Sequence, residues 1–202
     1  DSSYGYRPKR SGQQAIQKVK EYAEEGYRYA VSVDLSKYFD TLNHELLMNL
    51  LHRKIQDMRV LRIIKKYLKS GVMENGVVSK TEEGSPQGGP LSPLLANIYL
   101  NEFDWEMCGR GVKTVRYADD IVVFAKSKRA AERLMESSRK YLEGKLKLKM
   151  NTEKSKVTSI FAVKEFKFLG FCIGKNGSGI YIRAHRKSLN KAKVQFTRDY
   201  TG

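Results

Sequence analysis

Apolar and polar positions along this chain alternate between two periods, and the changes of period mark the elements. A polar, basic, turn-rich opening, DSSYGYRPKRSG, leads into helical spacing over about residues 12–25. In YRYAVSVDLS, Tyr29, Val31, Val33 and Leu35 alternate with Ala30, Ser32 and Asp34. That is the period of a strand burying one face, and it sends Asp34 away from the bulkier set. Asn43 reads as the N-cap of a helix through about Arg53 with Leu46, Leu47, Leu50 and Leu51 buried, followed by an amphipathic helix over about 58–69 on Val60, Leu61, Ile64 and Leu68. VMENGVVSK sets Asn75-Gly76 between two β-prone runs, a strong hairpin signal.

Gly and Pro then dominate until Ser92-Pro93, which predicts an N-cap and first-turn proline for a helix over about 92–107 with Leu95, Ile98, Tyr99 and Phe103 inside. Residues 112–117 and 121–125 are β runs, with Ala118, Asp119 and Asp120 at or near the tip between them. A helix over about 128–143 follows, then strands at about 156–162, 166–173 and 179–183, the last two joined by GKNGSG. The tail from Arg183 reads as the start of another basic helix. This order predicts an α+β fold, an antiparallel sheet backed by helices on one face.

Composition narrows the class. The 202 residues suffice for one sizeable domain or two small ones. Lys plus Arg number 38 against 22 Asp plus Glu, a balance of +16 spread along the whole sequence, which suits a polyanion laid across a broad surface, although ribosomal and membrane-surface proteins share such a charge. Cys108 and Cys172 have no CxxC spacing and no neighbouring histidine, so neither a zinc site nor a disulfide framework is indicated. With no signal peptide and no apolar run near ~18 residues, the expectation is an intracellular protein without a membrane span. A first residue that is not Met and a last one in mid-pattern suggest part of a longer chain.

Asp34, at the end of one strand, and the adjacent Asp119 and Asp120, at a hairpin, are the candidate chemistry. A bare Asp pair at a tip is ordinarily a solvated turn. If the strands pair in one sheet the acids can converge, and converging carboxylates without counter-bases call for a cation; oxygen ligands alone select a hard one such as Mg²⁺. Together and in this order, VSVDLSKYFDTLNHELL, GSPQGGPLSPLLANIYL and VRYADDIVVFA resemble the core motifs of reverse transcriptases, and their wording is similar to the enzymes encoded by group II introns, the intron maturases. The resemblance runs from YGYRPKRSG to FKFLGF.

The resemblance implies a right-hand polymerase palm with partial fingers: residues 1–28 as partial fingers, 29–184 as palm with a finger-like insertion around 58–85, and 185–202 as the start of a connection to a thumb. It implies that Asp34, Asp119 and Asp120 are catalytic, the first two holding two Mg²⁺ ions and the last assisting, with the ions roughly 3.5–4 Å apart as in two-metal sites, for in-line transfer to a primer 3′-hydroxyl. Phe39 falls where the family places a steric gate against the 2′-hydroxyl, and Pro86, Gln87 and Gly88 where it places a nucleotide pocket. Lys154 resembles the basic residue near the leaving pyrophosphate, with Lys149 and Lys156 as alternative registers. Phe168, Leu169 and Gly170 match the element that supports the primer end, and Arg7, Lys9 and Arg10 a motif associated with the template strand, where Tyr4 and Tyr6 are candidates to stack on bases. The implied partners are group II intron RNA as template, a DNA primer and deoxynucleoside triphosphates; the location is cytoplasmic in a bacterium or organellar in a eukaryote, and a homodimer is open. The alternatives are an RNA-binding splicing cofactor in which polymerisation is dispensable and, more remotely, another palm enzyme with a small or polar residue where Phe39 stands.

Overall fold

The computed structural model describes residues 2–69, 72–74, 77–79, 84 and 89–190. In chain order the elements are α1 (Gly12–Glu24), β1 (Tyr29–Val33), α2 (His44–His52), α3 (Met58–Lys69), β2 (Val72–Glu74), β3 (Val77–Ser79), α4 (Ser92–Gly109), β4 (Thr114–Tyr117), β5 (Asp120–Ala125), α5 (Lys128–Gly144), β6 (Lys156–Ser159), β7 (Phe171–Asn176) and β8 (Gly179–Ala184), with a short 3₁₀ turn at Tyr38–Asp40. The expected helices are present, residues 186–190 are helical as the basic tail predicts, and each expected strand is present except that the run at 156–162 ends at Ser159 and 166–173 does not form one strand.

A four-stranded antiparallel sheet in the order β4-β5-β1-β6 forms the centre. At its β4 edge Ser3 pairs in parallel with Arg116, so the opening segment extends the sheet. One face carries Val31, Val33, Ile121 and Val123 against Leu47, Leu95, Tyr99, Phe103 and Leu142 of α2, α4 and α5. The other carries Ala30, Val115, Val122 and Phe124 against Ile16 and Val19 of α1 and Phe166, Phe168 and Ile173 next to and within the β7–β8 hairpin. Alternation in β1 shows only the first face, because Ala30 on the second is small; α1 and the hairpin bury it too.

Local chemistry explains the boundaries and four differences from expectation. Ser11 starts α1 with a capping box, its hydroxyl accepting from Gln14 N at 3.2 Å while Gln14 Oε1 accepts from Ser11 N at 2.9 Å. Asn43 caps α2 as expected, accepting from Leu46 N at 2.9 Å. Ser92 does not cap α4: Leu91 holds that position, and Ser92 is buried in the first turn with its hydroxyl 2.9 Å from that of Tyr67. In α3 only Leu61 and Leu68 are fully buried while Val60 is exposed, because that helix rests mainly on α2 and covers a narrow stripe. Residues 166–173 are not one strand, since Leu169 and Gly170 both have positive φ and make a two-residue turn across which Phe168 and Phe171 exchange backbone hydrogen bonds at 2.9 Å. The strand starts at Phe171 and runs to Asn176, leaving Gly177-Ser178 as the turn of GKNGSG. The second hairpin, β2 with β3, has the expected pairing Glu74↔Val77, but its turn Asn75-Gly76 lies outside the described residues. No described helix is long and apolar enough to cross a membrane.

Candidate active site

Tyr117 and Asp120 are cross-strand partners, so Ala118 and Asp119 alone connect β4 to β5. A link this short requires positive φ, and Ala118 adopts +56°, at a cost on the order of 1–3 kcal/mol for a residue with a Cβ. Two neighbours hold it there. Arg116 Nη1 donates to the Ala118 carbonyl at 2.9 Å, and Gly5 sits so close that a Cβ on it would stand 2.5 Å from the Ala118 nitrogen. Arg116, 1% exposed, is fixed in turn by Asp104 (Nη2 to Oδ2 2.5 Å) and by Asn97 Oδ1 at 2.7 Å; a buried guanidinium is tolerated only when paired and fully hydrogen-bonded.

The register brings the first aspartate alongside. Val33 pairs with Ile121, and continuing that antiparallel register by one residue sets Asp34 across from Asp120. Paired residues project to one face, here the face of Val122 and Phe168. The backbone of Asp34 is tied to the turn before β6: Asn151 N donates to the Asp34 carbonyl at 2.8 Å and Asp34 N donates to Ser155 Oγ at 3.0 Å. Asn151 Oδ1 also accepts from Lys154 N at 3.2 Å, so one turn positions both Asp34 and Lys154.

Asp34, Asp120 and Lys154 line one cleft of about 540 Å³. Phe168 forms part of its wall, while Leu169 and Gly170 make the turn beside it. Lys156 also lines it and Lys149 does not, which narrows the lysine registers left open by the sequence to two. Lys164, Lys167, Lys187 and His185 join the lining without having been singled out in the sequence; only the adjacency of Lys167 to FLG hinted at any of them. Five lysines thus face three acids, Asp34, Asp120 and Glu165, and the opening favours an anion.

Asp119 stands at the turn and is not part of that lining. Among the described residues no three acidic, histidine or cysteine side chains are gathered closely enough to hold a metal ion by themselves. The acids nonetheless feel one another. The Asp120 carboxyl is raised above its ordinary 3.8, first by partial desolvation even though its edge meets solvent, then by the charges of Asp119 and Asp34, with Lys167 opposing. Crowded carboxylate oxygens with a raised proton affinity are a donor set that suits a hard divalent cation.

Phe39 lies in the 3₁₀ turn after Lys37, half-buried, with its ring centroid 5.3 Å from that of Tyr38, whose hydroxyl donates to the Ala96 carbonyl at 2.6 Å. Pro86, Gln87 and Gly88 lie outside the described residues. Gly84 is anchored at the end of that turn: its nitrogen donates to Leu42 O at 2.8 Å, and a Cβ on it would meet the Asp40 carbonyl at 2.9 Å. Arg7, Lys9 and Arg10 do not reach the carboxylate cleft. Arg7 and Lys9 are exposed, and Arg10 lies over the ring of Tyr4 at 5.1 Å. Tyr4 is a core residue, not a surface for bases, whereas Tyr6 is exposed near Tyr117.

Comparison with known proteins bears on this geometry. The family model described as reverse transcriptase (RNA-dependent DNA polymerase) matches residues 1–173. Protein YkfC of Escherichia coli (strain K12) is 37% identical over 196 residues, covering 78% of this chain and 51% of that protein. Group II intron-encoded protein LtrA of Lactococcus lactis subsp. cremoris is 29% identical over 258 residues, covering 94% of this chain and 42% of LtrA. The chain therefore spans about half the length of these relatives, or less. In fold it resembles apo telomerase from Candida tropicalis, with a TM-score of 0.67 at 14% identity over 91% of this chain and 41% of that one. The α+β sheet with its aspartate-bearing hairpin and the family match agree, and the chain belongs to the reverse transcriptase family, with a group II intron-encoded protein among its relatives.

Proposed function

We propose that this chain is the fingers–palm part of an RNA-directed DNA polymerase of a group II intron, which extends a DNA primer on intron RNA with deoxynucleoside triphosphates. Residues 29–184 serve as the palm, with residues around 58–85 as a finger-like insertion, residues 1–28 as partial fingers and 185–202 as the lead into a thumb. Its setting is cytoplasmic, or organellar in a eukaryote. The observation that carries the reading is the placement of Asp34 across from Asp120 in a cleft rimmed by five lysines: acids for a cation, bases for phosphates.

Asp34, Asp119 and Asp120 would hold Mg²⁺, two ions in all, which when bound supplies Lewis-acid activation of the primer hydroxyl and stabilises the leaving pyrophosphate. The chain's own residues do the rest. Lys154 faces the leaving group and can deliver a proton to it. Phe39 crowds the 2′ position of an incoming sugar, and Pro86, Gln87 and Gly88 serve as the nucleotide pocket. Phe168 with the Leu169-Gly170 turn backs the primer end, and Arg7, Lys9 and Arg10 contact the template strand.

Primer extension on an RNA template by the full-length protein, with deoxy- or ribonucleotides and with or without Mg²⁺, tests the proposal. Asp119→Asn is expected to abolish extension while leaving RNA affinity nearly intact; retained extension refutes it. The +16 balance favours a second role, intron-RNA binding that aids splicing as a maturase does. Splicing preserved in the extension-dead variant would assign that role to the basic surface alone.

A further inference from the structure

His44, the first residue of α2, is 8% exposed and lines no part of the carboxylate cleft. Its Nε2 stands 2.6 Å from the Gly84 carbonyl oxygen. A carbonyl only accepts, so Nε2 carries a proton and donates it. Nδ1 is polar in either charge state, and it is buried without a partner. An unsatisfied buried polar atom is a cost that an apolar side chain of similar size would avoid, so packing alone does not account for a histidine here. The bond acts at Gly84, whose N–H donates to the Leu42 carbonyl at 2.8 Å and whose φ of +93° suits only a glycine. A Cβ on Gly84 would meet the oxygen, carbonyl carbon and Cα of Asp40 at 2.9, 3.2 and 3.2 Å, so the two backbones lie directly against each other.

Asp40 ends the 3₁₀ turn Tyr38–Asp40, and Phe39 is the middle residue of that turn. The turn follows Lys37 at φ +47°, left-handed backbone that a residue with a Cβ keeps only under constraint. Its first residue is pinned by the Tyr38 hydroxyl, which donates to Ala96 O of α4 at 2.6 Å. Its last is pinned by Gly84, and Gly84 by His44. We propose that His44 is a positioning residue for sugar selection: through Gly84 it holds the turn that presents Phe39 to the 2′ position of an incoming nucleotide. This role rests on the polymerase reading, with Phe39 as its gate. A steric gate discriminates only while its ring cannot retreat, and a displacement on the order of 1 Å changes rates by up to about a hundredfold. Helix α2 supplies the rigidity, since Leu47, Leu50 and Leu51 fix it in the core and Asn43 caps its first turn.

The readout is the ratio of kcat/KM for a deoxynucleotide to kcat/KM for the matching ribonucleotide, in primer extension by the full-length protein. Folded fraction cancels from this ratio, so a variant that is merely destabilised leaves it unchanged. His44→Leu removes the donor and should lower the ratio about tenfold. His44→Gln, whose amide nitrogen lies as many bonds from Cβ as the histidine Nε2, should restore most of it, whereas the shorter His44→Asn should not. Gly84→Ala, which forces a Cβ onto the Asp40 carbonyl, should lower the ratio as well. Amide exchange at Gly84, whose N–H is held by Leu42 O, should quicken in His44→Leu and return toward the parent rate in His44→Gln. A ratio unchanged in His44→Leu, or equal in the Gln and Asn variants, overturns the proposal even where exchange at Gly84 quickens, and it leaves the polymerase reading standing. Phe39→Val is the control for the gate: if it accepts ribonucleotides no better than the parent, the gate assignment falls and this role with it. A parent that extends no primer with either sugar defeats the polymerase reading itself.

Discussion

Arg116 reaches past its own strand to donate to the Ala118 carbonyl at 2.9 Å, while its other nitrogens are bound by Asp104. Both partners of the ion pair are buried, with side chains 1% and 10% exposed. Removing one leaves the other uncompensated, so Arg116→Ala or Asp104→Ala is expected to cost about 3–5 kcal/mol in a denaturant melt. Replacing both by apolar residues of similar volume, Arg116→Met with Asp104→Leu, should recover most of that. It does not recover the bond to the Ala118 carbonyl. Primer extension by the double variant should therefore stay depressed while its stability returns, and a variant regaining both would separate this ion pair from the turn.

Gly5 tests the same turn from the other side. A Cβ there would come within 2.5 Å of Ala118 N and 3.0 Å of Tyr117 C, backbone atoms that cannot swing aside. Gly5→Ala should therefore destabilise by about 1–3 kcal/mol, the range for overpacking. Because the displaced atoms adjoin Asp119, extension activity at a temperature well below the melt should fall more than the folded fraction does. Equal losses in the two would mean that Gly5 serves packing only.

The parts of the site legible in the sequence were those written in short patterns. Alternation in residues 29–35 gave Asp34 its face, and the two β runs around Ala118 gave the hairpin. Asn151 and Ser155 were not legible as supports of Asp34, because their bonds cross 117 to 121 residues of chain and depend on the pairing of β1 with β6. Nor was Arg116, one arginine among 38 basic residues until its partner on α4 is known. Lys164, Lys167 and Lys187 belong to no pattern visible in the sequence; the turn at Leu169-Gly170, which an apolar run disguised as strand, lies in the segment that lines the cleft. Tyr4 differs from expectation for the converse reason, since a tyrosine in a basic loop looks exposed until Ser3 is seen joining the sheet.

Asp120 carries a pH signature. Its carboxyl is raised by desolvation and by the charges of Asp119 and Asp34, so its ionised form is less favourable in the folded chain than in the unfolded one. That penalty is absent below its ordinary 3.8 and complete above the raised folded value. Asp120→Asn should then melt higher than the parent at pH 7 without divalent cations, with the difference closing as pH falls toward 3.8. Added Mg²⁺ should stabilise the parent more than the variant. A variant that melts lower at pH 7 would show that the carboxylate is favourably placed without a cation.

Lys167 makes opposite demands on the two ligands assigned to the cleft. Its positive charge opposes the upward shift of Asp120, which means that it also repels a cation held there. It lines the same opening as Lys154, where the phosphates of an incoming nucleotide would be drawn. Lys167→Gln should accordingly lower the Mg²⁺ concentration for half-maximal extension and raise the KM for deoxynucleotide, each by a few-fold, as expected for one partly screened charge. Both changes should shrink as ionic strength rises from about 0.05 to about 0.5 M, because the screening length shortens across that range. A lysine acting only as packing for Phe168 would show neither the opposed pair of effects nor their dependence on salt, and a rise in both constants together would place its charge on the nucleotide alone.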